Sequence, residues 1–295
     1  MKTTARMRQM LREKGTVWAA GAYDALSAKF IEEAGFDAVM TSGFGVSASH
    51  LGEPDVEIYT MTENLTVVRN ATNAVKIPMI ADCDTGYGNA INVMRTVREF
   101  EAAGVAAVIF EDQEAPKRCP AVATSVEILP VEEGAGKIRA AVRARRDKDL
   151  IIVARTDALT EDEAIQRAKA YVAAGADLIQ PISRCFKTFA GLKRLREACG
   201  VPLSLQILGW LEKDLTPAQI KEVAAFAVFP LVPLMSVAEA MRRNLKQLAQ
   251  TKTTAGLPQP VMEMSAFKEF IGFPQVETLQ TEFLTRRMGP LKAAE

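Results

Sequence analysis

The chain has 295 residues, 48% of them hydrophobic and 24% charged, which suits one α/β domain with a full core. Lys plus Arg and Asp plus Glu each number 36, and the resulting zero net charge gives no support to nucleic acid or an anionic membrane as partner. The first 15 residues are polar and basic, and the most apolar stretch, 224–235, is too short to span a bilayer. The four cysteines lack CxxC spacing, so a cytoplasmic protein with free thiols is expected. A single histidine, His50, leaves no multi-histidine metal site within one chain.

In chain order, short β-branched runs alternate with amphipathic segments. Strands are expected at 17–20, 38–41, 78–82, 107–111, 150–155, 177–180, 202–205 and 227–229. Between them, helices are expected at 24–34, 62–74, 90–103, 130–145, 161–173 and 189–198. Three helix-to-strand junctions repeat, EEAGFDAVM, EAAGVAAVIF and VAAGADLIQ, with Gly35, Gly104 and Gly175 where a left-handed glycine stops a helix. Eight strands alternating with helices predict a (β/α)8 TIM-type barrel. Further helices at 236–250, 262–271 and 275–283 make a helical extension, 236–295, of a single domain spanning 1–295. Within it, Met241, Met262 and Met264, with Met235 just before, are expected to pack the helices together.

In a parallel barrel the site lies where the strands end, at the C-terminal mouth. The third strand ends in ADCDTGYGN, the fourth in FEDQ and the fifth in ARTD. Asp82 and Asp84, two apart in extended chain, point to one side and Cys83 to the other. Glu111 shares a strand face with Ala107 and Ile109. Carboxylates converging there raise one another's pKa unless a cation intervenes, and all-oxygen ligands favour Mg²⁺ or Mn²⁺. The alternative is that these acids cap helices or pair with basic residues. Arg155 offers a fork for a substrate carboxylate, or else makes an internal salt bridge. The Ser42-Gly43-Phe44-Gly45 turn can present N–H groups to an oxyanion. The long 113–130 connection reads as a lid, in which Lys117 and Arg118 favour the thiolate of Cys119, or Cys119 is an ordinary loop cysteine. Trp18 is assigned to packing, His50 to a surface or packing role, and Trp210 is a candidate wall of the pocket.

The motifs GAYDALSA, SGFG, LGEPD, DCDTGYGN, Glu111-Asp112, PKRC and ARTDA, spread over 21–283, together resemble the isocitrate lyase/phosphoenolpyruvate mutase superfamily. The resemblance implies Mg²⁺ near Asp82, Asp84 and Glu111, with Asp55 close behind and some acids acting through water. It implies that Arg155 grips a substrate carboxylate, and that Ser42, Gly43 and Phe44 line the site. It also implies a homotetramer that exchanges C-terminal helices. Lyases of the superfamily carry a KKCGH-like loop whose cysteine is the general acid/base. This chain has Lys117-Arg118-Cys119-Pro120-Ala121, so Lys117 and Cys119 join Arg155 as candidate catalytic residues. The lyases' glutamate on the sixth strand falls at Ile182, which cannot bind a second carboxylate, and their asparagine on the seventh at Gln206. The phosphonate branch carries a Lys-Thr-Asn-like loop, against which Cys119 argues. The segment GYGNAINVMRTVREFEAAG is similar to the oxaloacetate decarboxylase branch.

The leading expectation is therefore a Mg²⁺-dependent lyase or decarboxylase that breaks a C–C bond in a small 2-oxo or 2-hydroxy carboxylic acid through a pyruvate-like enolate. Phosphonopyruvate mutase or hydrolase chemistry is the second reading, and a non-catalytic carboxylate-binding barrel the third.

Overall fold

The computed structural model describes residues 1–118, 126–182 and 184–284. Its strands are β1 (Val17–Ala22), β2 (Ala38–Thr41), β3 (Met79–Asp82), β4 (Ala107–Glu111), β5 (Ile151–Thr156), β6 (Leu178–Pro181), β7 (Leu203–Gln206) and β8 (Ala224–Phe229). They pair in parallel in chain order, and β8 returns to β1 to close the barrel. Each lies within a few residues of the run that predicted it.

The α-helices are α1 (Thr3–Lys14), α2 (Ala25–Glu33), α3 (Gly43–Val46), α4 (Met61–Ala74), α5 (Ala90–Ala102), α6 (Val131–Ala144) and α7 (Glu161–Ala173). They continue with α8 (Phe189–Cys199), α9 (Trp210–Asp214), α10 (Pro217–Val223), α11 (Val232–Thr251), α12 (Met264–Ile271) and α13 (Phe273–Phe283). Local sequence sets several starts: Asp24 with Ser27, Thr60 with Glu63, and Thr216 with Gln219 form reciprocal capping boxes. Gly35, Gly104 and Gly175 take φ of 87°, 90° and 103°, the left-handed stop that the repeat implied.

Alternation along the strands sorts the core into two layers. Ala107, Ile109, Ile151 and Val153 face inward with Ile80 and Phe226 and fill the barrel, whereas Val108, Ile152 and Phe110 face the helices. The same alternation turns Glu111 and Arg155, the next inward positions, into the C-terminal mouth. Helix α1 was not expected. Its charged surface hides an apolar face with Met7 and Met10 buried among the inward-facing residues, so it covers the N-terminal end of the barrel. Trp18 is packed as expected, stacked on Phe229 with ring centroids 6.0 Å apart.

The chain divides into two compact units, Met1–Ser236 and Val237–Glu295. In the second, Asn244 Nδ2 donates to the Gln259 carbonyl at 3.0 Å and Gln259 N–H returns a bond to Asn244 Oδ1 at 2.9 Å. The expected methionine packing does not occur: Met241, Met262 and Met264 are 54%, 49% and 66% exposed, and α11, α12 and α13 bury no residue.

Candidate active site

The strand ends bring Asp82, Glu111 and Arg155 to one mouth. Asp84 reaches it differently from the expectation. Strand β3 stops at Asp82, and Asp84 sits beyond it with φ 48°, a left-handed conformation. The turn, not strand pleat, brings the two acids together, and Asp84 N–H donates to Asp82 Oδ1 at 3.3 Å. Cys83 does point away, fully buried in the outer layer. Gly43 lies against both acids: a Cβ there would stand 3.0 Å from Asp84 Oδ1, 3.2 Å from Asp82 Oδ2 and 2.6 Å from the Tyr59 hydroxyl.

The ammonium of Lys117 lies inside this acid cluster. Its Nζ is 2.5 Å from Asp84 Oδ1, 3.0 Å from Asp55 Oδ1 and 4.0 Å from Glu111 Oε1. The Lys117 N–H donates to Glu57 Oε2 at 3.1 Å, which ties the start of the long connection to the site. The Tyr59 hydroxyl donates to Asp84 Oδ2. Burial disfavours the charge on Lys117, but Asp84, Glu111 and Asp55 outweigh it and hold the ammonium protonated well beyond the usual lysine range. The acids respond to burial in the other direction. Burial and then Asp84 push Asp82 up to about 6, and burial raises Asp55 and, further, Glu111.

Arg155 makes the internal salt bridge that was its alternative reading, and it also lines the open cavity. Nη1 is 2.6 Å from Glu111 Oε2 and Nη2 donates to Asp157 Oδ1 at 2.8 Å. Behind it, Asp157 N–H donates to Asp112 Oδ1 at 2.9 Å, and Asp112 Oδ2 accepts from the Tyr171 hydroxyl at 2.7 Å and from Arg167 at 3.3 Å. Asp112 therefore acts as a buried support rather than facing the mouth.

A cavity of ≈ 360 Å³ opens above these groups. Its lining includes the charged Asp55, Asp82, Arg155 and Arg184, the amides Gln180 and Gln206, and the apolar Ile182 and Leu208. Ser42 and Phe44 line it as well. The Ser42 turn is not open to an oxyanion through Gly43 or Gly45: it begins α3, where Gly45 N–H bonds Ser42 Oγ at 3.3 Å and Gly43 N–H bonds Asp82 Oδ2 at 3.2 Å. Trp210 is not in the cavity wall; it starts α9 and packs against the outer core. His50 is exposed. Cys119 lies outside the described residues.

The phosphoenolpyruvate phosphomutase family model matches residues 7–250. The chain belongs to this family, and with it to the isocitrate lyase/phosphoenolpyruvate mutase superfamily. It is 40% identical to 2,3-dimethylmalate lyase of Eubacterium barkeri over 292 residues, 97% of this chain and 100% of that protein. The crystal structure of phosphoenolpyruvate phosphomutase from Streptomyces platensis subsp. rosaceus superimposes with a TM-score of 0.87 at 34% identity, covering 95% of this chain and 99% of that one. A phosphonopyruvate hydrolase in complex with oxalate and Mg²⁺ superimposes with a TM-score of 0.86 at 31% identity, covering 96% and 100%.

The family's metal can be tested against the residues present. Five carboxyl groups, Asp55, Asp82, Asp84, Glu111 and Asp157, stand around two cations, Lys117 and Arg155. Glu111 Oε1 accepts no hydrogen bond among the described residues, and Lys117 Nζ stands 4.0 Å from it, whereas Glu111 Oε2 and Asp55 Oδ1 are ion-paired with Arg155 and Lys117. A buried acceptor without a donor, in a cluster where carboxyl groups outnumber cations, fits a hard divalent cation. Among the described residues no three such side chains enclose an ion by themselves. An ion here would keep much of its water, as Mg²⁺ commonly does.

Several residues of the site escaped the sequence reading. Tyr59 and Glu57 looked like ordinary residues of a loop before a helix cap. Arg184 sits beyond the sixth strand without a motif. Gln180 was not singled out, although it is the register partner of Arg155 on the neighbouring strand.

Proposed function

We propose that this carbon–carbon lyase cleaves a small 2-oxo or 2-hydroxy carboxylic acid in the cavity above Asp82, Glu111 and Arg155, with Mg²⁺ as its metal and Mn²⁺ as the alternative ion. The observation that carries the reading is the buried excess of carboxyl groups beside a guanidinium at the floor of an open cavity. When bound, the ion supplies a Lewis acid that favours negative charge on the substrate's oxygens. Asp82, Asp84 and Glu111 hold it, directly or through water, and Asp55 acts from behind.

Arg155 holds a substrate carboxylate. Glu111 and Asp157 fix its guanidinium from two sides, so a ligand meets a donor whose orientation is already set. Ser42, Gly43 and Phe44 shape the floor beside it. Lys117 keeps its proton and supplies fixed positive charge rather than a base. Cleaving a 2-hydroxy acid turns the 2-hydroxyl, which gives up its proton, into a carbonyl. It leaves the electron pair of the broken C–C bond on the neighbouring carbon, which takes a proton; decarboxylating a 2-oxo acid releases CO2 and leaves that pair on C3 of the enolate. We assign that protonation to Cys119, which follows Lys117 by two residues in the sequence.

A second reading, P–C chemistry on phosphonopyruvate, is supported by the likeness to the hydrolase. We also propose a homotetramer built through α11–α13, whose exposed Met241, Leu245, Phe273 and Leu279 offer an apolar face, and a cytoplasmic location suited to the free, buried Cys83, Cys185 and Cys199. No helix of the described residues is long and apolar enough to cross a membrane.

The test is pyruvate release from oxaloacetate, 2-methylisocitrate, 2,3-dimethylmalate and phosphonopyruvate. Release from one of the carbon acids, abolished by EDTA and restored by Mg²⁺, is expected. Release from phosphonopyruvate alone would transfer the enzyme to the second reading, and no release from any would contradict both.

A further inference from the structure

Gln180 ends the inward face of β6 and is the register partner of Arg155 on β5. It is 3% exposed and lines the cavity. Its side-chain oxygen is doubly engaged: the Ser204 hydroxyl donates to Gln180 Oε1 at 2.9 Å, and Gln206 Nε2 donates to the same atom at 3.2 Å. Gln206 is itself steadied by a contact from Nε2 to Met40 Sδ at 3.4 Å. With both lone pairs of Oε1 occupied, Gln180 can meet a ligand only through its Nε2 hydrogens, as a donor. Arg184 lines the same cavity. The lining also includes Ile182 and Leu208, which offer nothing to a further charge.

We propose that Gln180 is a specificity-determining residue that donates a hydrogen bond from Nε2 to the second carboxylate of a dicarboxylate substrate, with Arg184 supplying positive charge beside it. The first carboxylate is at Arg155, on the neighbouring strand. Substituents on the carbons between them face Ile182 and Leu208, so short alkyl groups are accepted and a third carboxylate is excluded. The substrate class is then an alkyl-bearing four-carbon dicarboxylate with a 2-oxygen function, rather than a tricarboxylate. The substrate class rests on the lyase reading above; the contact itself does not.

Malate and lactate share a 2-hydroxy acid head and differ in the second carboxylate, so calorimetric titration of the Mg²⁺-loaded protein with each isolates this contact. The wild-type protein is expected to bind malate more tightly than lactate. Gln180→Leu should weaken malate by about 10- to 100-fold, the loss of one hydrogen bond to a charged group, and leave lactate within about twofold. Gln180→Glu keeps the volume and a group able to accept from Ser204, and should weaken malate further by placing like charges together. Ser204→Ala frees the amide to rotate and should give a smaller loss for malate alone. Thermal melts of each variant check that it is folded. Equal loss for both ligands, no loss for either, or a wild-type protein that does not prefer malate would overturn the assignment. Absence of cleavage of every carbon acid would instead remove the reaction and leave the malate–lactate difference to decide this contact.

Discussion

From β3 to β5 the barrel mouth carries Asp82, Glu111 and Arg155, while from β6 to β7 the strand ends carry Gln180, Ser204 and Gln206. The first half is a buried charge cluster in which every ionised group depends on another: Glu111 on Arg155, Asp84 on Lys117, and Asp157 on Arg155. The strand ends of the second half are neutral, and Gln180 Oε1 accepts from both Ser204 and Gln206. The difference shows how one fold divides its labour. Charged strand ends cost about several kcal/mol of desolvation per ion and suit a reaction that develops charge. Neutral strand ends carry no such cost and suit discrimination of substrate shape.

The comparison is broken most severely at Arg155. Arg155→Leu leaves Glu111 and Asp157 buried without their cation, so stability should fall by about 3–5 kcal/mol, measured by denaturant unfolding, with activity lost. Arg155→Lys keeps the charge but not the fork, and should lower kcat/KM by about 100-fold with a smaller change in stability. If Arg155→Lys proved as active as wild type, the bidentate hold on substrate would be wrong.

Next is Gly43→Ala. The added methyl would crowd Asp82, Asp84 and Tyr59 without demanding an unusual backbone. Mg²⁺ affinity should fall by about tenfold or more while the melting temperature changes little. An unchanged affinity would mean that the spacing of these acids does not set the metal site.

The pH dependence follows from Asp82, whose carboxyl titrates at about 6 in the folded chain against 3.8 as a free group. A raised carboxyl pKa means that the folded, metal-free protein binds more protons than the unfolded chain between those values. Its stability contribution is full below 3.8 and is lost as pH rises through about 6. Metal-free protein should therefore melt at a lower temperature at pH 7 than at pH 5, provided other groups are held common by comparison with Asp82→Asn. Excess Mg²⁺ should narrow the gap, because the ion competes with the proton.

The smallest effect is expected behind the cluster. Tyr171→Phe removes the 2.7 Å bond to Asp112 but leaves Arg167 in place. Stability should fall by about 1–2 kcal/mol and kcat by less than about tenfold, because Asp112 acts only through Asp157 and Arg155.

The charged half was far more legible in the sequence than the neutral half, for a physical reason. Strand alternation fixes which side chains face inward, and an acid or arginine at such a position stands out against β-branched neighbours. Glu111 and Arg155 were found that way. Asp84 was placed in the mouth for the wrong reason, because a left-handed residue after a strand leaves no mark in periodicity. Gln180 and Ser204 sit on inward faces too, but a neutral polar residue among apolar ones reads as tolerance rather than function until its partners across β6 and β7 are seen. Tyr59 and Glu57 come from a loop, where side-chain direction has no period to follow. Helix α1 was hidden because its apolar face is narrow and its surface strongly charged. Trp210 was misplaced for the opposite reason, since a helix after β7 turns its ring to the outer core.

The most direct test of the charged half is calorimetric titration of Mg²⁺ near pH 6 in two buffers of different ionisation enthalpy, with the wild-type protein and with Asp82→Asn. One ion bound per chain, with proton release that disappears in Asp82→Asn, is the predicted result. Absence of binding, or identical binding and proton release in both proteins, would contradict the assignment of this acid cluster as a cation site.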